Sequence, residues 1–220
     1  MNKDECTSKV LGFVWNKVED TLLCEIPVLE MKEDKVTKRG ILSYLSKVFD
    51  PIGFLCPALL PLKLLFQNAW VAKTGWDDEL PQEAMVNFRR WHAELSCLQH
   101  ISISRDITGG CGYCGSRLEL HTFCDASKDA YAAVVYLRAI GADGTVSVQL
   151  LMAKSRLAPL KRPTIPRMEL LASVIGARLT SFVRKTLNLP DFPSLLWSDS
   201  TTALAWSEPM MSGAPSLAIV

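Results

Sequence analysis

The chain lacks a dominant charge. Its 24 lysines and arginines nearly balance 23 aspartates and glutamates, for a net charge of +1 over 220 residues. No global basic field marks it as a nucleic-acid binder, although a summed charge hides local patches. It also lacks a membrane span. The most apolar run, Ile52 to Phe66, is broken by Pro57, Pro61 and Lys63, and a spanning helix needs roughly 18–20 continuous apolar residues. Internal repeats and low-complexity tracts are absent, and 49% hydrophobic with 21% charged residues is a globular balance, neither disordered nor fibrous. The first twenty residues are polar and mixed, unlike a secretory leader, which points to an intracellular protein without a membrane partner.

An even cysteine set is missing too. The seven are Cys6, Cys24, Cys56, Cys97, Cys111, Cys114 and Cys124, and an odd count without a leader predicts free thiols in a reducing compartment. Cys111 and Cys114 form a CxxC within a glycine-rich stretch. A zinc site needs further ligands at matching spacing. His121 and Cys124 are the nearest, and both fall in or beside a predicted strand, so the alternatives are a zinc site and a plain loop with two thiols.

Residues 9–30 read as a β-hairpin, with Val10–Trp15 and Thr21–Ile26 as its strands and 16–20 as the turn. Ile41, Leu42, Leu45, Val48 and Phe49 recur at helical spacing. Asp50-Pro51 stops that helix, because a residue before proline avoids the helical region. Pro57–Gly75 is a second helix. Pro81 to about Leu98 is a third, with Phe88, Trp91 and Leu95 on one face as core packing. The rhythm changes near residue 110. Leu118–Cys124, Ala130–Leu137 and Val146–Lys154 read as three strands of a meander, and 141–144 as a hairpin turn. Pro166 to about Leu187 is a long helix, Ser194–Ser198 a fourth strand, and Thr201–Trp206 the start of another helix. The order β-β-β-α-β-α predicts an α/β (α+β) fold, a helical segment followed by one mixed sheet with flanking helices.

Three acidic residues stand where such a fold brings them together. Asp125 ends the first strand of the meander, Glu169 lies in the first turn of the long helix, and Asp199 ends the fourth strand. Taken singly, each has another use: Asp125 and Asp199 as caps, Glu169 as a favourable charge at a helix N-terminus. Taken together, they form a metal site. Clustered carboxylates raise one another's pKa, and divalent cations with hard oxygen preferences resolve the conflict. Two ions roughly 3.5–4 Å apart activate water and stabilise a leaving phosphodiester oxygen.

The motifs Asp125-Ala-Ser127, Arg167-Met-Glu-Leu-Leu171 and Trp197-Ser-Asp-Ser-Thr201 resemble the ribonuclease H domain of retroelement polyproteins, in particular the BEL/Pao retrotransposons. Leu11-Gly-Phe-Val-Trp15 is similar to the end of the reverse transcriptase palm, and the stretch from Arg39 to Asp50-Pro-Ile-Gly53 to the thumb and connection region. The resemblance implies a palm hairpin over 1–36, a helical thumb and connection region over 37–110 and a ribonuclease H-like domain over 111–220. It implies cleavage of the RNA strand of an RNA–DNA hybrid with Mg2+ or Mn2+ held by Asp125, Glu169 and Asp199. It also implies partners in the remainder of the Pol polyprotein, its palm, fingers and integrase, in the cytoplasm or a virus-like particle. The polymerase motif Tyr-x-Asp-Asp is absent, and Met210–Val220 does not resemble the family. There a fifth strand, a last helix and a fourth acidic residue are expected to be missing, leaving the domain C-terminally truncated and weak or inactive.

Two other readings stay open. One is a nucleic-acid-binding or structural remnant that does not cut. Lys154, Arg156, Lys161, Arg162 and Arg167 form a basic cluster, either a solvated loop or a set of phosphate contacts that position a duplex. The other is an aspartic peptidase of the Pao type. That chemistry needs paired Asp-Thr/Ser-Gly turns, and Asp199-Ser-Thr201 lacks the glycine.

Overall fold

Leu11 and Gly12 both lie at positive φ, 48° and 82°, and this pair reverses the chain. The computed structural model describes residues 6–26, 35–112, 115–161, 163–188, 192–207 and 216–219. Val10–Trp15, expected as one strand, is two. Strands β1 (Thr7–Val10) and β2 (Phe13–Asn16) pair antiparallel across the two-residue turn. Such turns require φ > 0 because that twist matches the flanking strands. Glycine adopts it freely and leucine only at a cost, so half of the turn's signal was missing from the sequence. The next turn falls where expected, and β3 (Thr21–Cys24) returns beside β2. The expected hairpin residues 27–30 lie outside the described residues.

The spacing-predicted helices follow. Helix α1 (Lys38–Lys47) is capped by Thr37, whose hydroxyl oxygen accepts from the Gly40 N–H at 3.1 Å. Helix α2 (Cys56–Val71) carries Pro57 at its start and Pro61 inside. Helix α3 (Gln82–Glu94) begins directly after Pro81 and continues as a 3-10 turn, Leu95–His100. They bury Ile41, Tyr44, Leu59, Leu62, Phe88 and Trp91. Tyr44 and Trp91 meet edge to face at 5.4 Å, and the Trp91 indole N–H donates to the Ala58 carbonyl at 2.6 Å. Strand β4 (Ser102–Ser104) closes a four-stranded sheet by pairing antiparallel with β3. These elements form the first of two compact units, Met1–Pro51 with Leu55–Arg105.

The second unit comprises Ile52–Phe54 and Asp106–Val220. Strands β5 (Arg117–Ala126), β6 (Ala130–Ile140) and β7 (Val146–Leu157) form the expected meander. Helix α4 (Ile165–Thr186) then leads to β8 (Ser194–Ser198), which pairs parallel with β5. After helix α5 (Thr201–Ser207), β9 (Ser216–Ile219) pairs parallel with β8. The sheet order is β7-β6-β5-β8-β9. The fifth strand that the sequence reading expected to be missing is therefore present, in a segment too short to show a period.

The core of this unit lies between α4 and one sheet face, with Leu118, Leu120, Val135, Leu137, Leu179 and Val183 buried together. Alternation along β5 sends Leu118, Leu120, Thr122 and Cys124 to that face. Inside it Thr122 and Thr180 join hydroxyls at 2.5 Å, and the Thr180 hydroxyl reaches the Gly176 carbonyl at 2.9 Å. A Cβ at Gly176 would strike the Cys124 sulfur, so glycine lets α4 approach β5 closely. The Asp-Pro-Ile-Gly segment has a similar constraint. The Ala153 N–H donates to the Ile52 carbonyl at 2.7 Å, and Gly53, at φ 82°, passes where a Cβ would meet the Ala153 carbonyl oxygen. Among the described residues no helix is long and apolar enough to cross a membrane.

Candidate metal centre

The parallel pairing of β5 with β8 puts the ends of these strands side by side, and α4 starts over them. Asp125, Glu169 and Asp199 each offer a carboxylate oxygen, and these oxygens lie within 4.8 Å of one another. It is the one group of three or more His, Cys, Asp or Glu residues that could hold a metal among the described residues. Asp125 and Asp199 are exposed, while Glu169 is only 7% exposed.

Beside the two aspartates, serines take the turn and capping roles, although Asp125 Oδ1 also accepts from the Ala126 N–H at 2.8 Å. Ser127 makes the turn after β5, its hydroxyl oxygen accepting from the N–H groups of Asp129 and Ala130, both at 3.2 Å. Ser200 serves α5, accepting from the Ala203 N–H at 3.2 Å. Glu169 does not sit in the first turn of α4 as expected. The helix starts at Ile165, and its first turn carries no acidic residue. One turn further in, Glu169 points to the aspartates instead of favouring a helix end.

The electrostatics show strain without a cation. Burial raises the Glu169 pKa above its ordinary value, and the charges of Asp125 and Asp199 raise it further, against a lowering hydrogen bond from the Ala126 N–H. The Glu169 Oε2 is buried with no hydrogen-bond partner, a state that costs free energy unless a donor or cation is supplied. Hard carboxylate oxygens, an orphan acceptor and mutual repulsion together fit Mg2+ or Mn2+. Burial, then the Glu169 charge, pushes the neighbouring Cys124 thiol up to about 12, so it stays protonated.

The basic residues are less gathered. Lys154 and Arg156 are exposed on β7, opposite Ala133 and Tyr131 of β6, and Lys161 and Arg167 are exposed in the following loop and first turn of α4. None of these four makes an ion pair among the described residues. Arg162 lies outside the described residues, as does Cys114 of the CxxC. Cys111 faces the Thr145 hydroxyl at 3.8 Å, and the described cysteines are free thiols.

A side-chain chain that the sequence reading missed lies on the sheet face away from the α4 core, with Glu119 buried and His121 and Trp197 half-buried. The Trp197 indole N–H donates to His121 Nδ1 at 3.0 Å, and His121 Nε2 is 3.4 Å from Glu119 Oε2. Glu119 also takes Arg138 at 2.8 Å and Arg117 at 2.7 Å. Burial opposes the Glu119 charge, but the hydrogen bonds from Arg138 and His121 and the two arginine charges hold its carboxyl below the ordinary value. The available signal was alternation: Glu119, His121, Phe123 and Asp125 share one face of β5, and Trp197 and Asp199 share that face of β8.

No curated protein matches the chain. Its fold is similar to a solved structure of the foamy viral protease-reverse transcriptase dRH in complex with double-stranded DNA, at a TM-score of 0.50 and 12% identity, over 97% of this chain and 38% of that one. A foamy viral protease-reverse transcriptase in complex with double-stranded DNA aligns at a TM-score of 0.26 and 13% identity, over 98% and 45%. The chain thus spans less than half the length of either. The family model described as Pao retrotransposon-like RNaseH-like domain matches residues 37–200, and the chain belongs to that family.

Proposed function

We propose that this chain is the nuclease portion of a retrotransposon Pol polyprotein and hydrolyses the RNA strand of an RNA–DNA hybrid with Mg2+ or Mn2+. The observation that carries this reading is the convergence of three carboxylates around a buried, unpartnered Glu169 Oε2. Asp125, Glu169 and Asp199 would hold the cations, which supply an activated water and a counter-charge for the leaving oxygen. Glu169, which is buried, would hold the cations from the protein side, and the exposed Asp125 and Asp199 would complete the ligand set toward solvent, where a substrate phosphate would approach. Lys154, Arg156, Lys161, Arg162 and Arg167 would neutralise backbone phosphates, and a hybrid duplex would be recognised by its shape and 2′-hydroxyls. The palm, fingers and integrase of the polyprotein are the proposed partners, in the cytoplasm or a virus-like particle. The peptidase reading gains nothing from the geometry, because a glutamate completes the cluster and no Asp-Thr/Ser-Gly turn is present.

The test is a labelled RNA–DNA hybrid incubated with the chain, and with the chain inside its longer polyprotein, in Mg2+. Cleavage of the RNA strand that a chelator stops is expected. Asp125→Asn should abolish cutting by at least a hundredfold while hybrid binding persists and weakens with salt. Cleavage that survives the chelator, or full activity in Asp125→Asn, would overturn the metal mechanism. Binding without any cleavage in either context would make the chain a non-cutting remnant.

A further inference from the structure

The backbone ladder between β5 and β8 stops short of the carboxylates. Its paired residues run from Leu120↔Ser194 to Phe123↔Trp197, and Asp125 and Asp199 each lie two positions beyond the last pair. β6 pairs with β5 as far as Ala126, and β9 with β8 as far as Ser198, so each strand end is held to its other neighbour. Between β5 and β8 themselves, the ladder no longer opposes the repulsion of the two like charges.

We infer that Trp197 and His121, anchored by Glu119, are positioning residues that clamp β8 to β5 and so set the separation of Asp199 from Asp125. This rests on the metal reading above. Trp197 is two residues from Asp199 and on the same strand face. Its ring lies nearly parallel to two side chains of β5, at 11° to His121 and 14° to Phe123, with centroids 5.8 and 6.1 Å away. Ring packing alone permits sliding, whereas the indole N–H bond to His121 Nδ1 fixes one register. An indole N–H only donates, so Nδ1 must be the bare nitrogen and Nε2 must carry the hydrogen. That hydrogen faces Glu119, which Arg138 and Arg117 keep charged and in place. The chain of contacts selects the one neutral tautomer that can accept from Trp197. Trp197 and His121 touch no cation and act through Asp199.

Mn2+ titration of the intact chain tests this, with thermal melts on the same samples. Trp197→Phe and His121→Phe keep a ring but lose the bond, and each should weaken Mn2+ binding roughly threefold to tenfold, the worth of one net hydrogen bond. The double variant should be no weaker than either single one. His121→Gln, which restores an acceptor, should recover most of the affinity. Wild-type affinity in both Phe variants would overturn the inference. The metal reading itself would fall, and this inference with it, if the wild type failed to bind Mn2+ or if Asp125→Asn bound it as tightly. Nuclear magnetic resonance of the unmutated protein gives an independent check. A scalar coupling across the hydrogen bond between Trp197 Nε1 and His121 Nδ1 is expected, with the indole resonance moving on Mg2+ addition. Absence of that coupling would also overturn the clamp.

Discussion

Glu169 carries the conflict of this molecule in one side chain. Its carboxylate is buried, orphaned at Oε2 and flanked by two negative charges, so charge at this position opposes the metal-free fold. The sign follows from the raised pKa. The stability contributed by this group is complete below its ordinary value of 4.5 and is lost as pH rises through the higher value in the folded state. Metal-free wild type should therefore melt lower at pH 7 than near pH 4.5 as far as this group decides it, and Glu169→Gln should remove that part of the slope and raise the metal-free melting temperature at pH 7. Magnesium reverses the comparison. At ten times its dissociation constant a ligand of the folded state adds about 1.4 kcal/mol, and Glu169→Gln should lose most of that gain. Calorimetry at two pH values, with and without Mg2+, checks both halves. A wild type that melts identically in all four conditions would contradict the account.

The docking of α4 on β5 is what places Glu169, and it depends on small side chains. Thr122 and Thr180 satisfy each other inside an otherwise apolar layer. Thr180→Val should cost about 1–3 kcal/mol, because Thr122 keeps a buried hydroxyl with its partner gone. The double change Thr122→Val with Thr180→Val should recover much of the loss, as measured by urea unfolding. Gly176→Ala should also destabilise, by about 1–3 kcal/mol, since its new methyl meets the Cys124 sulfur. An unchanged urea midpoint would mean that α4 shifts at no cost.

How far the sequence reveals these elements depends on the range of the forces that make them. The alternation Leu118, Leu120, Thr122, Cys124 and the helical spacing from Met168 to Val183 are local, and the strand and helix they predict are there. The convergence of the carboxylates was legible because Asp125 and Asp199 stand at the ends of two strands, while Glu169, one turn deeper in α4 than expected, still reaches them. The turn at Leu11-Gly12 was hidden because leucine gives no hint of positive φ. β9 was hidden because its four residues depend on pairing with β8. The Trp197–His121 bond was hidden because it needs the register of two strands whose rings lie 76 positions apart in the chain.

At the scale of the whole chain, each of the two units has its own core, and the candidate metal centre belongs to one of them. Hydrogen exchange should show Mg2+-dependent protection at the ends of β5 and β8 and the first turns of α4, with residues 37–98 unchanged. Protection spread evenly over both units would show a response that the placement of the three acids does not account for.

The central position of β5 also gives the protein a history while it is being made. Asp125 and Asp199 are 74 positions apart (199 − 125). At the usual pace of translation, about 5–20 residues per second, the first carboxylate leaves the ribosome roughly 4–15 s before the last. During that interval the meander β5-β6-β7 can form, but β5 is still its open edge, with Phe123 and His121 bare and the strand that will pair there not yet synthesised. A nascent chain stalled in this window would present an unpaired parallel edge, the kind of surface that attracts another copy or a chaperone. Emergence of Ser194 to Asp199 closes that edge and gathers the three carboxylates of the candidate metal centre in the same event.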